Sequence, residues 1–413
     1  MVRRDPTSDP RSAAEAVARR LQERGHVAYL AGGCVRDELL GEDPTDFDVA
    51  TDARPAVIRG MFSRTAEVGA AFGVMLVREF GPTIEVATFR ADGVYSDKRR
   101  PDSVAFSDAE RDAQRRDFTI NALFIDPLAS GDDRVIDFVD GRRDLIARTL
   151  RAVGDPEKRL AEDHLRALRA ARFAARYGLT IERGTSDAIR RHAAGLEGVS
   201  RERIGGEVRR MLTHSTRTRA CELLHELHLA RAVFGGVAEL DQRPIGGLDA
   251  DASFVAALMA LLIGRGHDPA ANADDLVAGV RASLLLSNEE REALRDGFAV
   301  LGLLLTGWNG MGEAGRKRLA ASGGFTDAFA VLRSIEPDAA AGVGDEIERL
   351  RSRFGGLRPR PLVGGEDLIG MGFAPGPSFS SVLRAVYDAQ LEGRVRDAEA
   401  ARLLAEELAN KRD

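Results

Sequence analysis

The sequence is organised around one short segment, residues 30–51, which has the sequence LAGGCVRDELLGEDPTDFDVAT. A short helix is predicted from Cys34 to Leu40, with Gly41 positioned to end it. Asp46 and Asp48 follow, and in an extended strand such alternate side chains point to the same face. Two ionised carboxylates on one face repel each other unless a cation lies between them. The segment therefore predicts a cation site close to a helix start.

The paired glycines Gly32 and Gly33 predict that a phosphate group binds beside this cation. Glycine lets the backbone approach a ligand closely, and the start of the following helix presents free N–H groups. Hard divalent cations such as Mg²⁺ prefer carboxylate oxygens and usually bind together with substrate phosphates. An isolated Asp-x-Asp pair is more often a solvated loop, but the upstream glycines favour a site for Mg²⁺ and a triphosphate.

Composition limits the classes of protein to which the chain can belong. Its 413 residues are 44% hydrophobic and 30% charged, which is typical of a soluble protein with two to four domains. No stretch is long and apolar enough to predict a membrane span. Cys34 and Cys221 form no spacing motif, so a reducing, cytoplasmic location is expected. A net charge of −6 argues mildly against nucleic-acid binding, although local arginine clusters matter more than the total.

A third acidic candidate lies in the run PTIEVATFR, residues 82–90. Glu85 is flanked by Ile84 and Val86 in a β-rich stretch, so it is either an outward-facing surface residue or a site residue. A carboxylate on a strand next to the Asp-x-Asp strand would complete a two-metal site.

The run RRDFTINALFID, residues 115–126, offers positive charge for the triphosphate. The guanidinium groups of Arg115 and Arg116 suit phosphate because they donate hydrogen bonds in a fork. If a helix begins here, Asp117 and Asn121 lie four residues apart and are able to contact a ribose together. The alternative interpretation is that Asp117 caps a helix and the arginines are merely exposed.

One helix is predicted over residues 154–178, with Asp155 as its N-cap, Pro156 at its first position and Gly178 at its end. Its charged residues share one face by their spacing. A salt-bridged solvent face is the alternative interpretation. The residues concerned are Glu162, Asp163, Arg166 and Arg169.

These motifs together resemble the class II tRNA nucleotidyltransferases, the CCA-adding enzymes and bacterial poly(A) polymerases of the DNA polymerase beta-like superfamily. The family pattern G-G-x-V-R-D, a short spacer and D-x-D with a nearby threonine is similar to residues 32–51, and E-D-x-x-R is similar to residues 162–166. The resemblance is strong from residue 28 to about residue 210 and weak over residues 362–394.

The resemblance implies an α+β fold. We expect a nucleotidyltransferase head with a small mixed sheet and helices over residues 1–150. A helical neck with a nucleotide-base template helix is expected over residues 151–235. An all-helical body and tail that bind tRNA are expected over residues 236–413.

The resemblance also implies the activity: addition of C, C and A to the tRNA 3′ end from CTP and ATP without a nucleic-acid template. Two Mg²⁺ ions are expected, with Asp46, Asp48 and Glu85 as catalytic residues and Asp46 and Asp48 as metal ligands. Glu202, Arg203 and Glu207 are expected to support the nucleotide pocket. The expected nucleotide-binding residues are Gly32, Gly33, Arg36, Arg115, Arg116, Asp117, Asn121, Glu162, Asp163, Arg166 and Arg169.

The template role has a chemical basis. Cytosine and adenine both present an amino donor beside a ring acceptor, so the Asp163 carboxylate accepts from the amino group and the Arg166 guanidinium donates to the ring nitrogen. Uracil and guanine present the reverse order. An unpaired buried polar group costs ~1–3 kcal/mol, so two mismatches would exclude UTP and GTP.

Basic residues elsewhere are candidates for RNA phosphates, namely Arg209, Arg210, Arg316, Lys317 and Arg318, together with Lys98, Arg99 and Arg100 in a loop over residues 91–101. A poly(A) polymerase, or an enzyme that adds only the terminal A, would share all the head motifs. The absence of a basic C-terminal extension favours CCA addition. A catalytically inactive RNA-binding relative is the alternative from another class. The oligomeric state is not predicted.

Overall fold

The computed structural model describes residues 9–69, 73–92, 104–235, 239–270, 273–353, 355–373 and 376–410. The chain divides into two compact units. Unit 1 comprises Met1–Glu207 and Leu223–Gly235, and unit 2 comprises Val208–Glu222 and Gly236–Asp413. The predicted domain boundaries near residues 150 and 235 stay predictions.

Strands belong to the first half of the described chain and helices dominate the second half, which confirms the predicted α+β fold. The strands are β1 (Ala28–Ala31), β2 (Asp48–Thr51), β3 (Thr65–Gly69), β4 (Val74–Val77), β5 (Ile84–Thr88), β6 (Arg90–Asp92), β7 (Val104–Phe106), β8 (Phe124–Ile125), β9 (Val135–Ile136), β10 (Thr149–Leu150) and β11 (Thr180–Ile181).

The helices up to residue 234 are α1 (Pro10–Glu23), α2 (Gly33–Leu40), α3 (Pro55–Met61), α4 (Ala109–Gln114), α5 (Gly141–Ile146), α6 (Pro156–Glu162), α7 (Leu165–Tyr177), α8 (Arg183–His192), α9 (Arg201–Leu212), α10 (Arg217–Glu226) and α11 (Leu229–Phe234). The later helices are α12 (Arg243–Gly246), α13 (Phe254–Gly264), α14 (Ala273–Leu284), α15 (Asn288–Thr306), α16 (Glu313–Ala320), α17 (Phe325–Ile335), α18 (Pro337–Arg351), α19 (Gly365–Gly370), α20 (Pro377–Leu391) and α21 (Ala398–Asn410). Short 3₁₀ helices lie at Thr119–Asn121, Gly131–Arg134, Ala193–Gly198 and Trp308–Gly310.

The main sheet of unit 1 is mixed, in the order β3-β4-β5-β2-β1-β8-β9. Strands β2 and β5 are parallel neighbours, and the other pairs are antiparallel. In the parallel pair, Asp48 is directly opposite Glu85. Val17 and Leu21 of α1 are fully buried, and the rings of Phe89 and Phe124 meet edge to face in the core. The sheet therefore fixes the two acidic residues on adjacent strands.

Two local predictions about the acidic and arginine motifs are wrong. Asp46 is not in the strand, because β2 begins at Asp48. No α-helix begins at residue 115, because α4 ends at Gln114 and only a 3₁₀ turn follows at Thr119–Asn121. The intervening Phe118 is extended, with φ −127° and ψ 148°, and forms a β-bridge with Ala152. Backbone hydrogen bonds to residues 151–153 thus replace those of a helix.

The single helix predicted over residues 154–178 is also wrong, because it is divided into α6 and α7. Asp163 lies at the break in an extended conformation, and its carboxylate accepts a hydrogen bond from the backbone N–H of Leu165 at 3.1 Å. Such local side-chain capping competes with helix continuation. The two ends are as predicted: Asp155 caps the start, and Gly178 ends α7 in the left-handed conformation.

Three further local predictions are confirmed. The amphipathic pattern of residues 11–24 predicts a helix, and α1 occupies this stretch. Helix α2 ends at a left-handed Gly41, as predicted. The run Gly376-Pro377-Ser378 predicts a helix start, and α20 begins at Pro377. None of the helices in the described ranges combines the length and hydrophobicity needed to cross a membrane. Most of the loop predicted over residues 91–101, including its basic residues, lies outside the described residues.

Gly141, the first residue of α5, packs directly against the 3₁₀ turn that carries Asn121. A Cβ atom at this position would clash with the carbonyl oxygen of Thr119 and lie 2.8 Å from its carbonyl carbon. We expect Gly141→Ala to lower the free energy of unfolding by about 1–3 kcal/mol, as overpacking of a rigid contact does. Chemical denaturation measures this.

Gly60 provides the matched control, because it lies in α3 with no atom within 4 Å of a built Cβ. Gly60→Ala should leave stability unchanged or raise it by up to ~1 kcal/mol, because alanine favours the helix. Equal effects of the two substitutions would contradict the packing argument.

Candidate active site

Unit 1 contains a cavity of about 600 Å³, within the size range of nucleotide and cofactor sites. Its walls come from the Gly32–Gly33 turn, strands β2 and β5, residues 115–121, α7 and Arg203 of α9. Apart from Asp46 and Glu162, the predicted catalytic and nucleotide-binding residues all line it. The fold thus brings together residues that are far apart in the sequence.

Asp48 and Glu85 form the acidic wall of the cavity. The Asp48 side chain still reaches solvent, yet its pKa is raised to about 6. Partial burial is the main cause, and repulsion from Glu85 and Asp46 adds to it, while Arg116 acts in the opposite direction. The ionised form of Asp48 is therefore disfavoured until a cation is present.

Within the described ranges, no group of three or more His, Cys, Asp or Glu side chains is arranged to hold a metal ion by itself. The acidic wall nevertheless fits a divalent cation that takes its remaining ligands from a substrate. Mg²⁺ in particular is usually bound through one or two carboxylates plus phosphate oxygens. The mutual repulsion of Asp48 and Glu85 is what such a cation would relieve.

The glycine turn lies opposite the arginines. Gly32 has φ 76° and precedes α2, so its conformation favours glycine. A Cβ atom there would lie 3.0 Å from Nη1 of Arg116. That guanidinium donates to the backbone oxygen of Asn121 at 2.9 Å and lies 5.0 Å from the ring centre of Phe124. The absence of a side chain at residue 32 therefore lets an arginine approach the turn.

Asp112 holds both arginines and was not identified from the sequence. It is 2% exposed and forms ion pairs with Arg115 at 2.7 Å and with Arg116 at 3.0 Å. Burial alone would raise the pKa of Asp112, but the charges of Arg116 and Arg115 lower it overall. The signal in the sequence was the i, i+3 and i, i+4 spacing of an acid before two arginines.

Arg36 is more enclosed than the sequence suggested. It is 6% exposed, and it donates to Asn121 Oδ1 and to the Tyr177 hydroxyl, both at 2.6 Å. It also forms an ion pair with Asp37 at 2.7 Å. Its predicted contact with the triphosphate stays a prediction. In the structure it orients Asn121.

Asp117 and Asn121 contact each other as expected, although a 3₁₀ turn and not an α-helix brings them together. Asn121 Nδ2 donates to Asp117 Oδ1 at 3.1 Å, and Arg169 Nε donates to Asp117 Oδ2 at 2.7 Å. Burial alone would raise the pKa of Asp117, but Arg169 and these hydrogen bonds lower it to about 2.

Asp163 and Arg166 are held by different partners. The Asp163 carboxylate accepts from both terminal nitrogens of Arg203, at 3.2 and 2.6 Å. Arg166 donates through Nη1 to Glu162 at 2.5 Å and to the backbone oxygen of Arg159 at 2.6 Å. The cavity lining therefore contains an acceptor and a donor, each held by its own partner. Arg203 was expected to support the nucleotide pocket, and its contact with Asp163 agrees with that expectation.

The basic residues of unit 2 give a mixed result. Lys317 is 1% exposed and donates to the backbone oxygen of Leu391 at 2.6 Å, so the prediction that it meets RNA is wrong. Helix α16 directs the Lys317 side chain toward the carbonyl groups at the C-terminal end of α20. RNA contacts by the arginines stay predictions, although Arg209, Arg316 and Arg318 form ion pairs. These pairs are Arg209 with Glu290, Arg316 with Glu346 and Arg318 with Asp388, and Arg210 is exposed.

Comparisons with known proteins agree with the resemblance that the sequence motifs show. Residues 28–151 match the family described as "Poly A polymerase head domain", and residues 178–240 match "Probable RNA and SrmB- binding site of polymerase A". The chain is 45% identical over 200 residues to the CCA-adding enzyme of Limosilactobacillus fermentum and 42% identical over 213 residues to that of Lacticaseibacillus paracasei. Over its first half the chain is therefore similar to CCA-adding enzymes and to the head domain of poly(A) polymerases.

The extent of these matches differs between sequence and structure. The match to the Limosilactobacillus relative covers 48% of this chain and 49% of the relative, so the chain spans about half the length of the curated relatives it matches. The solved structure of the Bacillus stearothermophilus CCA-adding enzyme in complex with CTP covers 98% of this chain and 99% of its own, with a TM-score of 0.80 and 26% identity.

A Thermotoga maritima CCA-adding enzyme complexed with tRNA_CCA has a TM-score of 0.69 at 20% identity, which shows the fold alone. The head-domain match, residues 28–151, contains the acidic wall, the glycine turn and the two arginines.

The opposite pKa shifts of Asp48 and Asp117 generate a prediction about stability. In metal-free buffer at pH 7.5, Asp48→Asn should raise the melting temperature, because it removes a carboxylate whose ionised form the folded state disfavours. The pKa of Asp48 in the folded state is about 6, above its ordinary value of 3.8. The gain should therefore be complete above pH 6 and vanish as the pH falls toward 4.

Asp117→Asn is the control for this prediction, because the folded state favours ionised Asp117. It should lower the melting temperature at pH 7.5. Scanning calorimetry measures the melting temperatures of both variants. A lower melting temperature for Asp48→Asn would contradict the repulsion between Asp48 and Glu85.

Proposed function

We propose that this protein adds C, C and A to the 3′ end of tRNA, with CTP and ATP as substrates and without a nucleic-acid template. One observation carries the proposal: a single cavity places the Asp48–Glu85 pair, the glycine turn, the Arg115–Arg116 pair and the base-facing groups on adjoining walls. The names of the similar proteins support it. We further propose a catalytic head over residues 1–150, a neck over 151–235, and a tRNA-binding body and tail over 236–413, in a cytoplasmic protein.

The acidic wall would hold Mg²⁺ through Asp46, Asp48 and Glu85. Bound Mg²⁺ would lower the pKa of the tRNA 3′-hydroxyl and would neutralise charge on the phosphates. Arg115 and Arg116, held by Asp112, orient the triphosphate. The tRNA 3′ oxygen then bonds to the α-phosphorus. The bond between the α-phosphorus and the oxygen that joins it to the β-phosphate breaks, which releases pyrophosphate.

The arrangement at Asp163 and Arg166 supports selection of C and A over U and G. Each group has its own partner, so neither is free to rotate and accommodate the reversed pattern of uracil or guanine. Arg166 Nη2 lies 3.5 Å from the backbone oxygen of Arg115, a long contact that leaves it able to donate to a ring nitrogen. The Asp163 carboxylate has lone pairs beyond those used by Arg203 and accepts from an exocyclic amino group.

Removal of the Asp163 carboxylate tests this selection. We expect Asp163→Ala to lower kcat/KM for CTP and ATP by about 10- to 100-fold, because one buried hydrogen bond is worth ~1–3 kcal/mol. The preference for CTP over UTP should shrink by a similar factor. Single-turnover incorporation of each of the four nucleotides measures both effects.

Asp155→Ala is the control variant for this test. Asp155 caps α6 by accepting from Glu157 N at 3.0 Å, so its loss costs about 1 kcal/mol of stability without touching the cavity. Its selectivity should equal that of the wild type. An unchanged preference for CTP over UTP in folded Asp163→Ala would refute the selection role.

The activity itself is tested with three tRNAs that end before CCA, in C and in CC. Each is incubated with CTP, with ATP and with both, in the presence of Mg²⁺. Extension of all three to a finished CCA end, followed by arrest, is the expected result. Asp48→Ala serves as the inactive control, because it removes half of the acidic pair.

Other outcomes distinguish the sibling activities. Addition of a single A to only the CC-ended tRNA would identify an A-adding enzyme. Long A tails on any RNA would identify a poly(A) polymerase. No extension at all by a protein that binds tRNA would indicate an inactive RNA-binding relative.

A further inference from the structure

We infer that Tyr177, at the last turn of α7, is a positioning residue for nucleotide binding. Its hydroxyl closes a ring of hydrogen bonds that joins the base-facing helix to the residues of the glycine-turn and ribose-contacting walls. The inference rests on the proposed function. It adds Tyr177 to the nucleotide-binding residues, although Tyr177 contacts no reacting atom.

The ring begins at the Tyr177 hydroxyl, which accepts from Arg36 Nη2 at 2.6 Å. The other terminal nitrogen of the same guanidinium donates to Asn121 Oδ1, also at 2.6 Å. Arg36 lies in α2, directly after the glycine turn, and Asn121 lies in the 3₁₀ turn after the two arginines. One guanidinium therefore connects two walls of the cavity to α7.

The ring returns to α7 through Asp117 and Arg169. Asn121 donates to one carboxylate oxygen of Asp117, and Arg169 donates to the other. Arg169 and Tyr177 lie eight residues apart on the same helix, which is about 12 Å along its axis. The hydrogen bonds thus span two turns of the helix that begins beside Asp163.

The ring surrounds an aromatic core. The Arg36 guanidinium lies 4.4 Å from the ring centre of Tyr177 and 5.1 Å from that of Phe173, and these two rings stack with an interplanar angle of 21°. Arg36, Asn121, Asp117, Phe173 and Tyr177 are all less than 10% exposed. In such surroundings a lost hydrogen bond is not replaced by water, so the orientation of the guanidinium depends on its acceptors.

The Tyr177 hydroxyl suits this role at neutral pH. Burial is the main cause that raises the pKa of Tyr177, and the nearby Asp37 carboxylate raises it further, while Arg36 opposes both. The hydroxyl therefore keeps its proton and accepts from Arg36 through a lone pair. Removal of the hydroxyl leaves Asp37 and Asn121 as the hydrogen-bond acceptors of Arg36, so the guanidinium gains freedom and orients Asn121 less firmly.

The first experiment compares binding of CTP and of ATP, each with Mg²⁺, to wild type and Tyr177→Phe by titration calorimetry. Phenylalanine keeps the ring stack and removes only the hydroxyl. We expect about tenfold weaker binding of both nucleotides, which is about 1.4 kcal/mol. The ratio of the two affinities should stay unchanged, because Asp163 and Arg166 are untouched.

Tyr387→Phe is the matched control. Its hydroxyl donates to the backbone oxygen of Pro359 at 3.0 Å in unit 2, so the substitution also removes one tyrosine hydrogen bond. Nucleotide affinity should equal that of the wild type. This separates loss of a hydroxyl at the ring from loss of any hydroxyl in the protein.

The second experiment repeats the titrations in an Arg36→Lys background, because lysine lacks the fork that bridges Tyr177 and Asn121. If Tyr177 acts through Arg36, Tyr177→Phe should weaken binding less than about twofold further in that background. Equal losses in both backgrounds would overturn the inference and indicate a general effect on stability.

The remaining outcomes separate this inference from the proposed function. A folded Tyr177→Phe that binds both nucleotides as tightly as the wild type would overturn the inference and leave the proposed function intact. A wild-type protein that binds neither CTP nor ATP would overturn the proposed function, and the inference with it.

Discussion

The parallel pairing of β2 with β5 is the constraint on which the cavity depends. It sets Asp48 directly opposite Glu85, so the pairing register keeps the two acids on adjacent strands. The cost is visible in the raised pKa of Asp48. A fold selected for stability alone would place apolar or oppositely charged residues at these two positions. A bound cation would relieve this repulsion, and the other walls of the cavity carry the groups that we propose to contact phosphate and base.

The acidic pair is useful only if the other walls hold their groups at fixed distances, and buried carboxylates do this. Asp112 orients two arginines, Asp117 connects Asn121 to Arg169, and Asp163 is itself held by Arg203. Asp112 and Asp117 are nearly enclosed, and Asp163 is partly buried, so these contacts restrict the side chains around the cavity. The ring through Arg36 and Tyr177 extends the same principle along two turns of α7, from Arg169 to Tyr177.

The sequence was sufficient to predict the parts of this arrangement that depend on local residue types. Glycines, caps and alternation predicted α1, α2, both ends of the α6–α7 segment and the acidic strand. It was insufficient where tertiary contacts override local preference. The bridge from Phe118 to Ala152 replaced a predicted helix, and the Asp163 carboxylate, shared between Leu165 N and Arg203, broke another. Lys317 looked like a surface charge because nothing nearby in the sequence reveals that its helix faces the end of α20. Tyr177 was not identified because its partner Arg36 becomes a neighbour only through the fold, whereas the spacing of Asp112 before its two arginines was a local signal that was overlooked.

The charge balance of the cavity is compatible with the proposed binding of nucleotides by an acidic protein. Six arginines that line the cavity each form an ion pair, and their partners are Asp37, Asp112, Asp117, Glu162 and Asp163. Asp48 and Glu85 add two further carboxylates. The cavity therefore carries little excess positive charge, and a bare triphosphate would gain little from long-range attraction. A nucleotide bound to a divalent cation is less negative and brings the charge that the acidic wall lacks. Recognition then depends on oriented donors and on the cation, which is why a net charge of −6 does not conflict with the proposed substrates.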